Sequence, residues 1–212
     1  MHVKMKKILS LLLFVVFGTS AIAQNTNNLG FGVAPVGGAY LNFSNNESKN
    51  SNNYFNLEYT SLFNAHLFYE KQHSGLCSLY EFSYTSAKLA YTQFGGQSIA
   101  DWTDQISGSL KSYNFMMYAG STINRNHRLQ IPIYFGIGGD YVSLTPYDKF
   151  FVDFGLKARM KFYVTNTVGI YIGGDWKGGL SLAKSSDSAD KSDILVWMNK
   201  LSAEAGLTFS FW

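Results

Sequence analysis

The stretch Phe150-Phe151-Val152-Asp153-Phe154-Gly155-Leu156-Lys157-Ala158-Arg159-Met160-Lys161-Phe162-Tyr163-Val164 alternates almost without error. One phase carries Phe150, Val152, Phe154, Leu156, Ala158, Met160, Phe162 and Val164. The other carries Phe151, Asp153, Gly155, Lys157, Arg159, Lys161 and Tyr163. A period of two is a β-strand. At roughly 3.3 Å per residue and a tilt of about 40°, the stretch covers more than the ~25 Å apolar band that transmembrane barrels turn toward lipid. Soluble strands are about half this length, and three cations in one column suit a polar lumen better than a soluble face.

Seven further alternating runs flank it. They are Leu29 to Phe43, Phe55 to Glu70, Leu76 to Ala90, Leu110 to Ser121, Arg128 to Leu144, Val168 to Leu182, and Leu195 to Trp212. Their apolar phases, such as Leu41 and Phe43, then Leu57 and Tyr59, then Ile133, Phe135 and Ile137, are expected to face outward. The second, fourth and sixth connections are short and the first, third and seventh long, with the fifth the exception. Short turns on one side, long loops on the other and an even strand count define an all-β, eight-stranded antiparallel up-and-down transmembrane β-barrel. Pro132 lies inside the fifth run, where a missing N–H predicts an edge or a bulge.

The N-terminus predicts a compartment. Lys4, Lys6 and Lys7 precede the apolar run Ile8 to Phe17, and Ala21-Ile22-Ala23 offers a small-residue cleavage site, so residues 1–23 read as a cleaved signal peptide and 24–212 as the barrel. The whole chain is formally +3; without those lysines it is neutral, which removes any charge argument for nucleic acid as a partner. A lone cysteine, Cys77, excludes an intrachain disulfide, and no cationic neighbour in sequence marks it as a reactive thiolate.

With the apolar phase outward, the lumen is expected to receive Glu58, Glu70, Glu81, Asp140, Asp153, Lys157, Arg159, Lys161, Asp175, Lys177 and Glu204, with His66 among them. An eight-stranded barrel is just wide enough for side chains to fill it, so these residues predict an interior of ion pairs, with a narrow polar conduit as the alternative. His73 and His127 fall in short turns and His66 points inward, so no histidine is placed for outer-leaflet catalysis and no enzymatic role is expected. No cofactor and no metal site are expected either: Asp187, Asp190 and Asp193 sit in a Ser-rich loop without the glycine pattern of a calcium loop. Tyr54, Tyr91, Tyr141, Tyr147, Trp176 and Trp197 at run ends fit interfacial girdles. Trp102, within Asp101-Trp102-Thr103-Asp104, is a candidate contact for a surface ligand of unknown identity.

The chain resembles the small eight-stranded outer-membrane barrels of the OmpX and OmpA-transmembrane-domain type. More narrowly, it resembles the outer-membrane β-barrel families of Bacteroidota, through the Leu129-Gln130-Ile131-Pro132 strand and the aromatic end at Phe209, Phe211 and Trp212. The resemblance implies a bacterial outer-membrane location, outer-membrane lipid as surroundings, and delivery to the barrel-assembly machinery through the C-terminal strand. Trp212 falls one step out of the outward row. The implied role is non-enzymatic, in envelope integrity or surface interaction through the loops at 44–53, 91–108 and 183–193. A small-solute porin is the alternative, and a soluble lipocalin-like barrel with the apolar phase turned inward a further one.

Overall fold

A computed structural model describes residues 26–45, 54–73, 75–94, 97–98, 109–123, 128–144, 147–181 and 194–211. They form β1 (Thr26–Asn45), β2 (Tyr54–His73), β3 (Leu76–Phe94), the two-residue β4 (Gln97–Ser98), β5 (Ser109–Ile123), β6 (Leu129–Leu144), β7 (Tyr147–Tyr163), β8 (Val168–Ser181) and β9 (Ile194–Phe211). Apart from β4, each strand pairs antiparallel with its neighbours, and β1 pairs with both β2 and β9. The sheet is therefore closed into an eight-stranded up-and-down barrel, which leaves no long edge to aggregate. β4 folds back on the end of β3, pairing Gln93 with Ser98, inside the segment expected to be an unpatterned loop.

Both described termini lie at the short-turn end. There Gly75, at φ 87°, turns β2 into β3 in a backbone region that side chains disfavour. Between β7 and β8, the Thr165 hydroxyl oxygen accepts from the backbone N–H of Val168 at 2.9 Å and so closes the turn on its own residues.

Alternation fixes which face is which. Along β5, exposure and burial alternate from Ser109 to Ala119, with Tyr113, Phe115 and Met117 outward. The outer surface carries an apolar belt around the ring: Phe31, Leu67, Phe82, Phe115, Ile137, Leu156, Ile172 and Phe209 alternate with inward-facing neighbours, and Ile137 is 57 % exposed. Glycine makes room inside where a large side chain crosses the wall. A Cβ at Gly32 would stand 2.2 Å, and one at Gly206 2.6 Å, from the Tyr171 hydroxyl.

Pro132 is absorbed without a bulge. It pairs with Thr122 of β5, while the β6–β7 ladder skips only Ile131 and Pro132 and resumes in the same register, Gln130 opposite Lys161 and Ile133 opposite Ala158. A missing N–H costs a ladder bond locally, but the bonds on either side hold the alignment.

The register does shift in β1 and β2. The β1–β9 pairing slips between Val33 and Val36, and the β2–β3 pairing slips at Glu58/Tyr59 and again at Ser61/Phe63. An extra residue reverses which side chains face in. Leu41, Leu57 and Tyr59, expected outside, are buried inside, and Glu58, expected in the lumen, is exposed on the outer wall.

Candidate functional site

The lumen is built in layers. On β7, period two sets Asp153, Lys157, Arg159 and Lys161 in one inward column, each at most 2 % exposed. In the ring, β3 lies three steps from β7 and β9 lies two, so contacts from this column to those strands cross the lumen.

The middle layer is a clamp. Lys157 Nζ donates to both Glu81 carboxylate oxygens at 2.7 and 2.6 Å and to Glu204 Oε2 at 2.9 Å. Arg159 donates from Nε to Glu204 Oε1 and from Nη2 to Glu81 Oε2, each at 2.6 Å. Its guanidinium lies 4.1 Å from the ring centre of Phe68 and 4.7 Å from that of Tyr171. Charge-assisted bonds with planar aromatic faces on the guanidinium give a buried cation the company it needs. His66 faces the same layer, its Nε2 2.5 Å from the Tyr171 hydroxyl and 3.4 Å from Glu204 Oε2.

Toward the short-turn end, Lys161 is paired with Glu70, whose Oε1 also accepts from Gln72 Nε2 at 2.6 Å. Tyr163 donates to Asn28 Oδ1 at 3.2 Å below them. Toward the long-loop end, Lys177 sits 3.2 Å from Asp175 Oδ2 and donates to Asn114 Oδ1 at 3.0 Å; Asn114 Nδ2 in turn donates to Asp153 Oδ2 at 2.7 Å. Ser112 donates to Asp140 Oδ1 at 2.6 Å, and Lys200 is ion-paired with the same carboxylate. Above this layer Ala39, Leu41, Leu57, Tyr59, Ala87, Leu110, Val142, Phe151, Val196 and Met198 form an apolar cap drawn from seven strands.

The structure thus places Glu70, Glu81, Asp140, Asp153, Lys157, Arg159, Lys161, Asp175, Lys177 and Glu204 inside the ring, and leaves Glu58 out. Lys200 belongs with them and is absent from the sequence-based set, although it stands two residues before Ser202 and four before Glu204 in the inward phase. The apolar cap is the larger omission, because it depends on the inversions in β1 and β2. Trp102 and the segment 183–193 lie outside the described residues, as do the side chains of Tyr54, Tyr91 and Tyr147. Tyr141 is exposed and donates to Asp148 at 2.7 Å, while Trp176 and Trp197 are half-buried.

His66, Glu81 and Glu204 bring possible ligand atoms within 4.8 Å of one another. Lys157 and Arg159 already occupy the carboxylate oxygens of both glutamates, and a divalent cation would have to displace or face two fixed cations. The residues present fit an ion-pair clamp and not a metal centre. Cys77 is buried against the lumen wall.

No protein-family model matches the chain, and no curated protein matches it in sequence. Solved structures do. A major outer membrane protein from Thermus thermophilus aligns over 89 % of this chain and all of its own, at 13 % identity and a TM-score of 0.51. Neisserial surface protein A aligns over 89 % of this chain and all of its own at 12 % identity and a TM-score of 0.49. The outer membrane protein OprG from Pseudomonas aeruginosa aligns over 88 % of this chain and 95 % of its own at 9 % identity and a TM-score of 0.48. The Thermus likeness speaks for the fold: an all-β, antiparallel up-and-down barrel of eight long strands, the architecture that the closed ring of pairings describes.

Proposed function

We propose that the chain is a non-enzymatic barrel of a bacterial outer membrane whose lumen is closed to solutes, and that it acts in envelope integrity or surface interaction through the connections at its long-loop end. The observation that carries this reading is the pair of barriers in series across the lumen. The clamp of Lys157 and Arg159 on Glu81 and Glu204 spans the middle, and the apolar cap around Leu57, Tyr59 and Phe151 spans the upper part. Solutes would have to break a desolvated ion-pair network and then cross a dry layer, whereas a conduit keeps its charged rings wetted.

The belt of exposed Phe, Ile, Leu and Val supports a lipid surround, because a water-facing wall of this extent would be a liability and not a neutral choice. The interior leaves no room for a lipocalin-like apolar cavity across the middle of the barrel. Residues 1–23, read as a cleaved signal peptide, would deliver the chain across the inner membrane. Phe209 and Phe211 on the outer face of β9 would present the terminal row to the assembly machinery.

Orientation is testable by single-cysteine labelling in a Cys77→Ser background. A membrane-impermeant maleimide applied to intact cells should label Ser188→Cys, in the connection between β8 and β9. It should label Asn126→Cys, in the connection between β5 and β6, only after the outer membrane is permeabilised. Reaction of Asn126→Cys in intact cells with Ser188→Cys silent would invert the topology.

A further inference from the structure

The outer wall is dented where β1 slips against β9. The register shifts between Val33 and Val36, and the residues that follow, Gly37-Gly38, have no side chains to cover the wall. A hollow of about 760 Å³ remains, open to the outside and walled by Val36, Tyr40, Glu58, Trp176, Leu201 and Ala203. That is the size of a small-molecule site. Its two ends differ in chemistry. Toward the short-turn end it is apolar and continuous with the belt, Val36 being 69 % and Leu201 67 % exposed. Toward the long-loop end Tyr40 stands opposite Glu58 in the β1–β2 ladder, and Glu58 is an exposed carboxylate.

We propose that this hollow docks a lipid of the leaflet at the long-loop end, one whose phosphate-bearing head ends in a primary ammonium. The apolar end suits an acyl chain, and the carboxylate above it fixes both the direction of the lipid and the sign of its head. Glu58 has no ion pair or hydrogen bond among the described residues. The two cations nearest in register do not neutralise it. Lys200 borders the hollow through its backbone neighbours on β9 but is ion-paired with Asp140 in the lumen. Lys88 of β3 is exposed opposite Thr60, two residues from Glu58, and forms no ion pair with it. Glu58 is thus open to accept from an ammonium, and Lys88 is open to the phosphate of the same head. A primary ammonium donates hydrogen bonds to the carboxylate, which a quaternary one cannot. The whole arrangement lies on the outer wall, so it leaves the closed lumen as it is.

This inference rests on the lipid-embedded reading, and the experiment separates the two. Trp176 lines the hollow and serves as the reporter once Trp102, Trp197 and Trp212 are replaced by Phe in the full-length mature protein. Its fluorescence is quenched by brominated lipids diluted into phosphatidylcholine vesicles. In a second protein Trp176 is also replaced by Phe and Ile137→Trp reports bulk lipid on the far wall. The proposal expects brominated phosphatidylethanolamine to reach Trp176 about three- to fivefold more effectively than brominated phosphatidylcholine, the range of an exposed ion pair, with no such preference at Ile137→Trp. Glu58→Gln, an exposed and nearly isosteric change, should abolish the preference. Lys88→Gln should weaken both phospholipids alike and leave the preference in place. Equal quenching of Trp176 by the two lipids overturns the site while the membrane reading stands. A preference that survives Glu58→Gln overturns it too, as does stronger quenching by brominated phosphatidylglycerol, which keeps the phosphate and lacks the amine. An Ile137→Trp that no brominated lipid quenches in the folded protein overturns the membrane reading and the site with it.

Discussion

Lys161→Met should lower the stability of the refolded barrel by about 3–5 kcal/mol, read as a drop in the urea midpoint, because it strands a carboxylate that has no route to water. Lys161 and Glu70 are both fully buried, and the substitution removes the cation paired with Glu70 while leaving the Gln72 amide as a donor to it. A buried ion pair contributes little net stability against an apolar pair of the same volume, since desolvation of both ions offsets their attraction. The double variant Glu70→Leu/Lys161→Met should therefore recover most of the loss. That recovery distinguishes an ion pair from simple packing. If the single variant falls and the double falls further, by the sum of two cavities, the two side chains act as volume and not as a pair.

Ile137→Arg should cost about 2–4 kcal/mol when folding is measured into lipid vesicles, the range for a cation near the midplane of a barrel's lipid face. Ile137 is 57 % exposed in the middle of β6, with Phe135 beside it in the outward row. The matched control is Thr60→Arg, also outward but beside Glu58 near the long-loop end, where the same charge should cost only about 0–1 kcal/mol. For a barrel standing in water the order would vanish, since a cation on an exposed surface position changes stability by roughly 0.5 kcal/mol or less. A depth-dependent cost is thus a signature of lipid.

Much of this is legible in the sequence alone. The alternation of β5 and β7 is unbroken, and it set the closed ring, the outward belt and the inward column of Lys157, Arg159 and Lys161. Legibility failed where period two was interrupted. The run from Leu29 to Phe43 reads as regular although Pro35 and Gly37-Gly38 mark the slip in β1, and the run from Phe55 to Glu70 is regular enough to hide the inversion that turns Glu58 outward and Leu57 and Tyr59 inward. The apolar cap follows from that inversion, so it was unreadable too. The pairing scheme was beyond the sequence for a different reason. Which carboxylate meets which cation depends on how strands three steps apart face each other across the lumen, and local pattern carries no information on that. Pro132 shows the opposite case: a strong local signal for a bulge was overridden by an otherwise continuous register with β7.

The central claim is a membrane-inserted barrel with a closed lumen, and ion conductance of the refolded protein across a planar bilayer at neutral pH tests it most directly. The account predicts a silent membrane once insertion is verified by protection of the strands from protease. It also predicts that Arg159→Ala, which opens the clamp beneath the apolar cap, stays silent because the cap around Tyr59 and Phe151 still closes the upper lumen. Stable, reproducible conductance steps from the unmodified protein would contradict it, and would make the charged column of β7 the wall of a pore.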